Sequence, residues 1–324
     1  MTMEWLRLLG GGLLLYFGAE WFVGGASALA LALRVPQILV GLTVVAYGTS
    51  APEIIVGVEA AGAGYGDVAI GNVVGSNVAN VGLILGVTAL VSPPRVDPAL
   101  RRRELPVLVL SAASLPLLFL DGVLSRVEAS GLLVIALLYT SWMVRAARAS
   151  AQATARVEVE VTAEVADAAG APKSGSTVRS GAIAAGGLVV LLIGGSLFVD
   201  GAVSVAKSLG MSERLVGLTI VAVGTSLPEL ITSTIAARRG HSDIAIGNVV
   251  GSNIFNVLLC LGAAGLTSPL RAPLADLSTD LVALGVITVL AAAFIRTERH
   301  VSRTEGLVAL ALYGGFTVLV IARG

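Results

Sequence analysis

Gly48-Thr-Ser-Ala-Pro-Glu53 and Gly71-Asn-Val-Val-Gly-Ser-Asn-Val-Ala-Asn80 return later in the chain as Gly224-Thr-Ser-Leu-Pro-Glu229 and Gly247-Asn-Val-Val-Gly-Ser-Asn-Ile-Phe-Asn256. Both motifs belong to one repeat: Gly41 to Pro93 aligns without a gap on Gly217 to Pro269, with 32 of 53 positions identical. Each copy places one glutamate, Glu53 or Glu229, in sequence otherwise apolar enough to cross a bilayer. An acid kept at that cost in both halves points to an ion pathway.

Composition around the repeat sets the class. The chain is 56% hydrophobic and 13% charged, with mean hydropathy +0.91, whereas a soluble domain carries about 25% charged residues. A polytopic membrane protein of the inner-membrane type follows, with the lipid bilayer as its surroundings and no nucleic acid as partner. Abundant glycine and alanine suit helices that pack backbone to backbone. The single cysteine, Cys260, excludes an internal disulfide. The first apolar run, Leu6 to Leu33, continues without a processing site and reads as a transmembrane helix rather than a cleaved signal.

Runs of roughly 20 apolar residues fall at 6–33, 37–62, 68–92, 105–121, 127–147, 181–209, 214–237, 244–267, 278–295 and 305–322. The fold class predicted is therefore all-α, with about ten transmembrane helices in two five-helix repeats. Residues 1–148 form the first repeat and 181–324 the second. Residues 149–180 form a polar linker carrying Glu158, Glu160, Glu164 and Asp167 and then Pro-Lys-Ser-Gly-Ser at 172–176. Those acids lack the glycine-containing loop of a calcium-sensing site and read as solvated linker.

Five spans per half is an odd number, so the second copy enters the membrane from the opposite face and the repeats are inverted. Of 21 Lys and Arg residues, six lie on the N-terminal side, namely Arg7, Arg126, Lys207, Arg214, Arg271 and Arg323, and fifteen on the other. The positive-inside rule then puts both termini outside and the linker in the cytoplasm.

Pro52 and Pro228 stand inside apolar runs, where proline cannot donate to the carbonyl four residues back. That frees the carbonyls of Gly48 and Gly224, beside Thr49 and Thr225. Loose backbone at membrane depth is tolerated where it lines a cavity or meets a partner, and a cation is such a partner. Inverted symmetry would bring Glu53 and Glu229 together near the midplane, with Ser50 and Ser226 adding hydroxyl oxygens. This is a hard oxygen cage of the kind Ca2+ prefers. The bland alternative is that Pro-Glu marks a helix start at the membrane surface. Asp67 and Asp243 read as N-caps of the next helix in each copy. Gly71 with Gly75, and Gly247 with Gly251, would let that helix approach a neighbour closely.

On it, Asn72, Ser76 and Asn80 recur every four residues, as do Asn248, Ser252 and Asn256, and so share one face. Ser76, Asn80, Ser252 and Asn256 read as ligand candidates. Asn72, Asn77, Asn248 and Asn253 read as interhelical glue.

The paired GTSAPE/GSNVAN and GTSLPE/GSNIFN strings resemble the two alpha-repeats of the sodium/calcium exchangers in the cation/calcium antiporter superfamily. The resemblance covers essentially the whole chain. It implies a secondary antiporter, not an enzyme, with Ca2+ and Na+ as transported ions and no cofactor. By that resemblance Glu53 and Glu229 match the central calcium carboxylates, and Thr49 and Thr225 match carbonyl donors. Ser50 and Ser226 match positions flanking sodium sites, Ser76 and Ser252 the serines of the facing helices, and Asn80 the amide position. Asn256 stands where some prokaryotic and potassium-dependent members have aspartate, which argues against K+ cotransport. The proton-coupled branch usually reads Gly-Asn-Ala-x-Glu where this chain reads Gly-Thr-Ser-x-Pro-Glu, which leans towards sodium. A proton/calcium antiporter is the alternative, since buried glutamates also bind protons.

Gly64-Tyr65-Gly66-Asp67 is formally the Gly-x-Gly-Asp string of an intramembrane protease, but the second copy reads Gly240-His241-Ser242-Asp243 and no second catalytic aspartate motif appears. A passive channel suits two inverted, proline-broken helices less well than alternating access does. Glu20 and Asp200 are further intramembrane acids that do not coincide in the repeat, and are expected in interhelical pairing or a watery crevice.

Overall fold

The computed structural model describes residues 2–164, 176–211, 222–297 and 300–323. They form α1 (Thr2–Ala32), α2 (Gln37–Thr49), α3 (Ala51–Gly62), α4 (Gly66–Val91), α5 (Pro98–Leu118) and α6 (Arg126–Glu164), and then α7 (Thr177–Ser208). A single turn Ala222–Gly224 follows, then α8 (Leu227–Arg238), α9 (Ser242–Thr267), α10 (Leu274–Thr297) and α11 (Arg303–Arg323). Seven of these are long and apolar enough by themselves to span a membrane, and α2 with α3 makes an eighth, bent by 44°. The other two of the ten segments are α5, whose first turns carry Arg101 to Arg103, and the segment ending in α8, whose first half lies outside the described residues.

Large apolar side chains such as Leu9, Phe17 and Trp21 of α1, Leu137 and Leu138 of α6 and Val286 of α10 face outward. In water such a surface would aggregate; against lipid it is the solvated one. At the opposite extreme, 78% of the apolar window of α4 and 94% of that of α9 is buried, against 11% for α11. The two helices carrying the Gly-Asn-Val-Val-Gly-Ser-Asn motif therefore form the centre.

Loop pairing follows the inverted plan. Strand β1 (Val123–Leu124), after α5, pairs antiparallel with β2 (Leu270–Arg271), after α9. Arg95, before α5, bridges His300, before α11. Each pairing joins loops that alternating spans put on the same face.

Close approach is set by glycine. A Cβ on Gly247 would stand 3.0 Å from the Ile38 carbonyl, and one on Gly251 2.8 Å from Ala46 Cβ, so α9 lies hard against α2. The close approach expected at Gly71 and Gly75 is not seen among the described residues, where a Cβ at either would meet nothing within 4 Å. Helices α1 and α7 meet along glycines seven apart, Gly11, Gly18 and Gly25 on one and Gly187, Gly194 and Gly201 on the other, where any Cβ would run into the partner's backbone.

Four expectations change. Pro52 does not bend a continuous helix: Ser50, at φ −83° and ψ 7°, ends α2, and Pro52 stands in the first turn of a new helix, as Pro228 does in α8. The helix-start reading is thus right in geometry, but the start is buried, with Glu53 only 1% exposed. Asp67 and Asp243 are not caps; Tyr65 and His241 hold the N-cap positions and the acids lie in the first turn, where the helix dipole favours them. Helix α6 runs on to Glu164, so half of the segment read as linker is helical, and α7 begins at Thr177 rather than 181. The fourth span begins at Pro98, capped by Asp97, whose side chain accepts from the Ala99 N–H.

Candidate cation site

The pattern Ser50-Ala-Pro-Glu53 is formally a capping box, in which serine and glutamate would satisfy each other's helix end. Neither Ser50 nor Ser226 caps its own helix. Ser50 Oγ donates instead to Glu229 Oε1, 3.1 Å away in the other repeat. The positive ends of half-helices α3 and α8 thereby meet inside the protein, each with a glutamate in its first turn.

The asparagine ladder positions these glutamates. Asn72 Nδ2 donates to the Glu53 carbonyl at 3.0 Å. Its counterpart Asn248 donates to Ser233 Oγ at 2.9 Å and approaches the Glu229 carbonyl at 3.5 Å. Asn248 Oδ1 in turn faces Thr49 Oγ1 at 3.2 Å, tying α9 to the end of α2. Asn253 donates to the Val249 carbonyl of its own helix. The residues read as glue are thus bonded within and between helices.

The two ends of the ladder differ. Asn256 Nδ2 donates to Asn77 Oδ1 at 3.1 Å, and the Cys260 thiol points at Asn256 Oδ1. Asn80 Oδ1 is buried with no hydrogen-bond partner among the described residues. Both residues open a π-helical turn, Asn80–Ile84 and Asn256–Cys260, a local widening that lifts side chains out of the regular register. Nothing in the sequence marked those turns.

Of the ten candidates, Thr49, Ser50, Glu53, Ser76, Asn80, Ser226, Glu229, Ser252 and Asn256 are buried, and Thr225 is half-buried. Glu53 Oε2, Glu229 Oε2, Asn80 Oδ1, Ser226 Oγ and Ser252 Oγ make no hydrogen bond among the described residues. A buried acceptor left unmade costs about 1–3 kcal/mol, and more when charged. Oxygens of this kind are what a hard cation takes as ligands, and a cation would also supply positive charge to the two carboxylates. Ser233 and Thr232 add buried hydroxyls beside Glu229 that sequence analysis passed over; they replace Gly57 and Val56 of the first copy, so the repeat itself hid them.

A crevice of about 200 Å³ reaches Thr225 between Pro52 and Pro228, with Ser196, Val199 and Asp200 of α7 on its wall. Glu20 lies elsewhere, ion-paired to Arg239 at the end of α8. The interhelical pair and the crevice expected for these acids are both present.

The model of the sodium/calcium exchanger protein family matches residues 3–145 and 180–322. The inner membrane protein YrbG of Escherichia coli is 36% identical over 98% of this chain and 96% of its own length. The sodium/calcium exchanger MaX1 of Methanosarcina acetivorans is 33% identical over 99% of both chains. Among solved structures, the sodium-calcium exchanger NCX_Mj soaked with Na+ and Ca2+ superposes with a TM-score of 0.81 at 32% identity, covering 98% of this chain and 97% of that one.

Proposed function

We propose that this chain, which belongs to the sodium/calcium exchanger protein family, carries Ca2+ out of the cytoplasm in exchange for Na+ through one site that faces each side in turn. A multi-pass membrane transporter and not an enzyme, it has the family and fold of a cation/calcium antiporter. The sodium coupling, the ligand set and the orientation are our reading.

The observation that carries it is the set of buried oxygens without a hydrogen-bond partner among the described residues, the Oε2 atoms of Glu53 and Glu229 foremost, with Ser50 linking the helix break of one repeat to the carboxylate of the other. Glu53 and Glu229 supply about two negative charges. Asn80, Ser226, Ser252, Ser76 and Asn256 supply neutral oxygens, and Thr49, Thr225 and Ser50 stand at the helix breaks. Ca2+ or several Na+ would neutralise the same pair of carboxylates, so the cations compete for one cage. Coupling then needs no push: a carrier with bare carboxylates pays heavily to pass them through a dehydrated intermediate, and a loaded one does not. The fifteen-to-six distribution of Lys and Arg supports external termini and a cytoplasmic connection between α6 and α7.

Radiolabelled calcium uptake into proteoliposomes under imposed Na+, K+ or H+ gradients tests the reading. Uptake driven by Na+ and indifferent to K+ is expected. A carrier that ignores Na+ and follows H+ would replace sodium by protons in the cycle.

A further inference from the structure

The repeats are 176 residues apart, as 217 is from 41, so every wall of the crevice at Thr225 has a counterpart. Ser196, Val199 and Asp200 of α7 correspond to Glu20, Val23 and Gly24 of α1, with Thr225 matching Thr49 and the two prolines changing places. In an inverted repeat this second set faces the opposite side of the membrane. The first set borders open space of about 200 Å³. On the second set Arg239 is seated: its Nε donates to Glu20 Oε1 at 3.1 Å, a second guanidinium nitrogen pairs with Glu20 Oε2, and Nη1 stands 3.6 Å from where a Cβ on Gly24 would be. Val23 is fully buried.

The difference is written in the repeat. Arg239 corresponds to Ala63, which has neither the length nor the charge to enter the other crevice. Gly24 leaves open the space where Asp200 stands on the other wall. Each wall keeps one acid, at positions one helical turn apart, but among the described residues only Glu20 has a tethered cation seated on it. The same loop is fastened to α1 nearby: Gln37 Nε2 donates to Ser27 Oγ at 3.0 Å, and His241 Nδ1 lies 3.1 Å from Gln37 Oε1.

We infer that Arg239 gates the second route to the cation site, closing it by occupying the crevice on Glu20, and that this route opens when the pair breaks. A guanidinium there blocks the path sterically and offers the one wall acid a positive charge already in place, so an incoming cation must wait for the arginine to leave. The inference takes the cage described above as the destination of the route, yet it can be tested without transport.

Single cysteines at Val199 and Val23 in the full chain, with the buried Cys260 left in place, report solvent access to each crevice in detergent through their rate of modification by a water-soluble thiol reagent. Val199→Cys should react readily and Val23→Cys slowly. Adding Arg239→Gln should speed reaction at Val23→Cys by about threefold to fivefold, the range open to a half-exposed ion pair. The exchanged pair Glu20→Arg with Arg239→Glu should restore protection. Gly24→Cys serves as a second reporter on the same wall. Equilibrium Ca2+ binding by Arg239→Gln should stay within about twofold of the parent, as a partly exposed pair outside the cage predicts. Unchanged reactivity at both reporters in Arg239→Gln would overturn the gate, as would a charge-exchanged protein as reactive as the single variant. Should the parent chain bind no Ca2+ while the labelling pattern holds, the cargo assignment fails and the gate stands.

Discussion

Ser50 and Glu229, 179 positions apart, share a hydrogen bond of 3.1 Å that joins the helix break of one repeat to the carboxylate of the other. A serine that local sequence would assign to its own helix end serves instead as a strut across the molecular pseudo-twofold. Glu229 is therefore held by a residue of the other repeat, whereas Ser226 Oγ, the counterpart of Ser50, makes no hydrogen bond among the described residues.

Neutralising either acid should abolish Ca2+ transport. Removing one of two charges from a dehydrated cage costs about 3–5 kcal/mol, more than about a hundredfold in binding. Glu53→Gln and Glu229→Gln should still purify as folded, monodisperse protein. Wild-type calcium flux in Glu53→Gln would rule out the paired-carboxylate cage.

Asn80 and Asn256 should part company. Asn80 Oδ1 has no hydrogen-bond partner among the described residues, whereas Asn256 is anchored to Asn77. Asn80→Ala should weaken Ca2+ binding by about tenfold to a hundredfold, as the loss of one charge-facing ligand implies, and leave thermal stability close to that of the parent. Asn256→Ala, which strands Asn77 Oδ1, should lower the unfolding midpoint as well. Calorimetric titration and thermal unfolding of both variants separate the two effects; equal stability losses would contradict the asymmetry.

Stability should fall on mild acidification, through His241. Burial, and then the charge of Arg239, hold its imidazole below the ordinary histidine value. The unfolded chain therefore binds the proton more readily than the folded one. The stabilisation is complete above about pH 6.5 and is lost as pH falls towards the folded-state value. Unfolding midpoints in detergent between pH 7.5 and 5.5 should decline less in His241→Gln than in the parent. Parallel curves would mean that His241 does not contribute.

A cysteine or tag near Lys173 should be inaccessible from outside intact cells, and tags at both termini accessible. Labelling of the Lys173 site from outside would reverse the orientation drawn from the arginine distribution.

Much was legible before any coordinates. The gapless repeat gave the inverted plan, and hydropathy located the apolar segments but not their ends: α5 begins at Pro98 rather than 105 and α6 runs on to Glu164 rather than 147, because a polar continuation of a helix leaves no apolar signal. Of the asparagines read as interhelical glue, Asn72, Asn77 and Asn248 do bond to another helix, whereas Asn253 donates within its own helix to the Val249 carbonyl, and Asn256, read as a ligand, joins Asn77. What spacing cannot tell is how a helix begins. Asp67 and Asp243 have the chemistry of caps but stand two residues past the cap, within the first turn, and Pro52 starts a helix rather than bending one.

By itself, then, the sequence determined the membrane class, the duplicated five-helix plan, and the presence of one buried carboxylate per copy in a polar motif. Each follows from local periodicity or from comparing the chain with itself. Only the tertiary structure decided that Ser50 reaches Glu229, that Asn256 Nδ2 is bonded to Asn77 while Asn80 Oδ1 has no partner among the described residues, and that Arg239 is seated on Glu20 while its counterpart Ala63 leaves the other crevice open. Those facts depend on which helix stands opposite which, and in an inverted repeat the opposing residue lies half the chain away. Two copies of nearly the same sequence must also pack against different neighbours, so equal motifs come to hold unequal bonds.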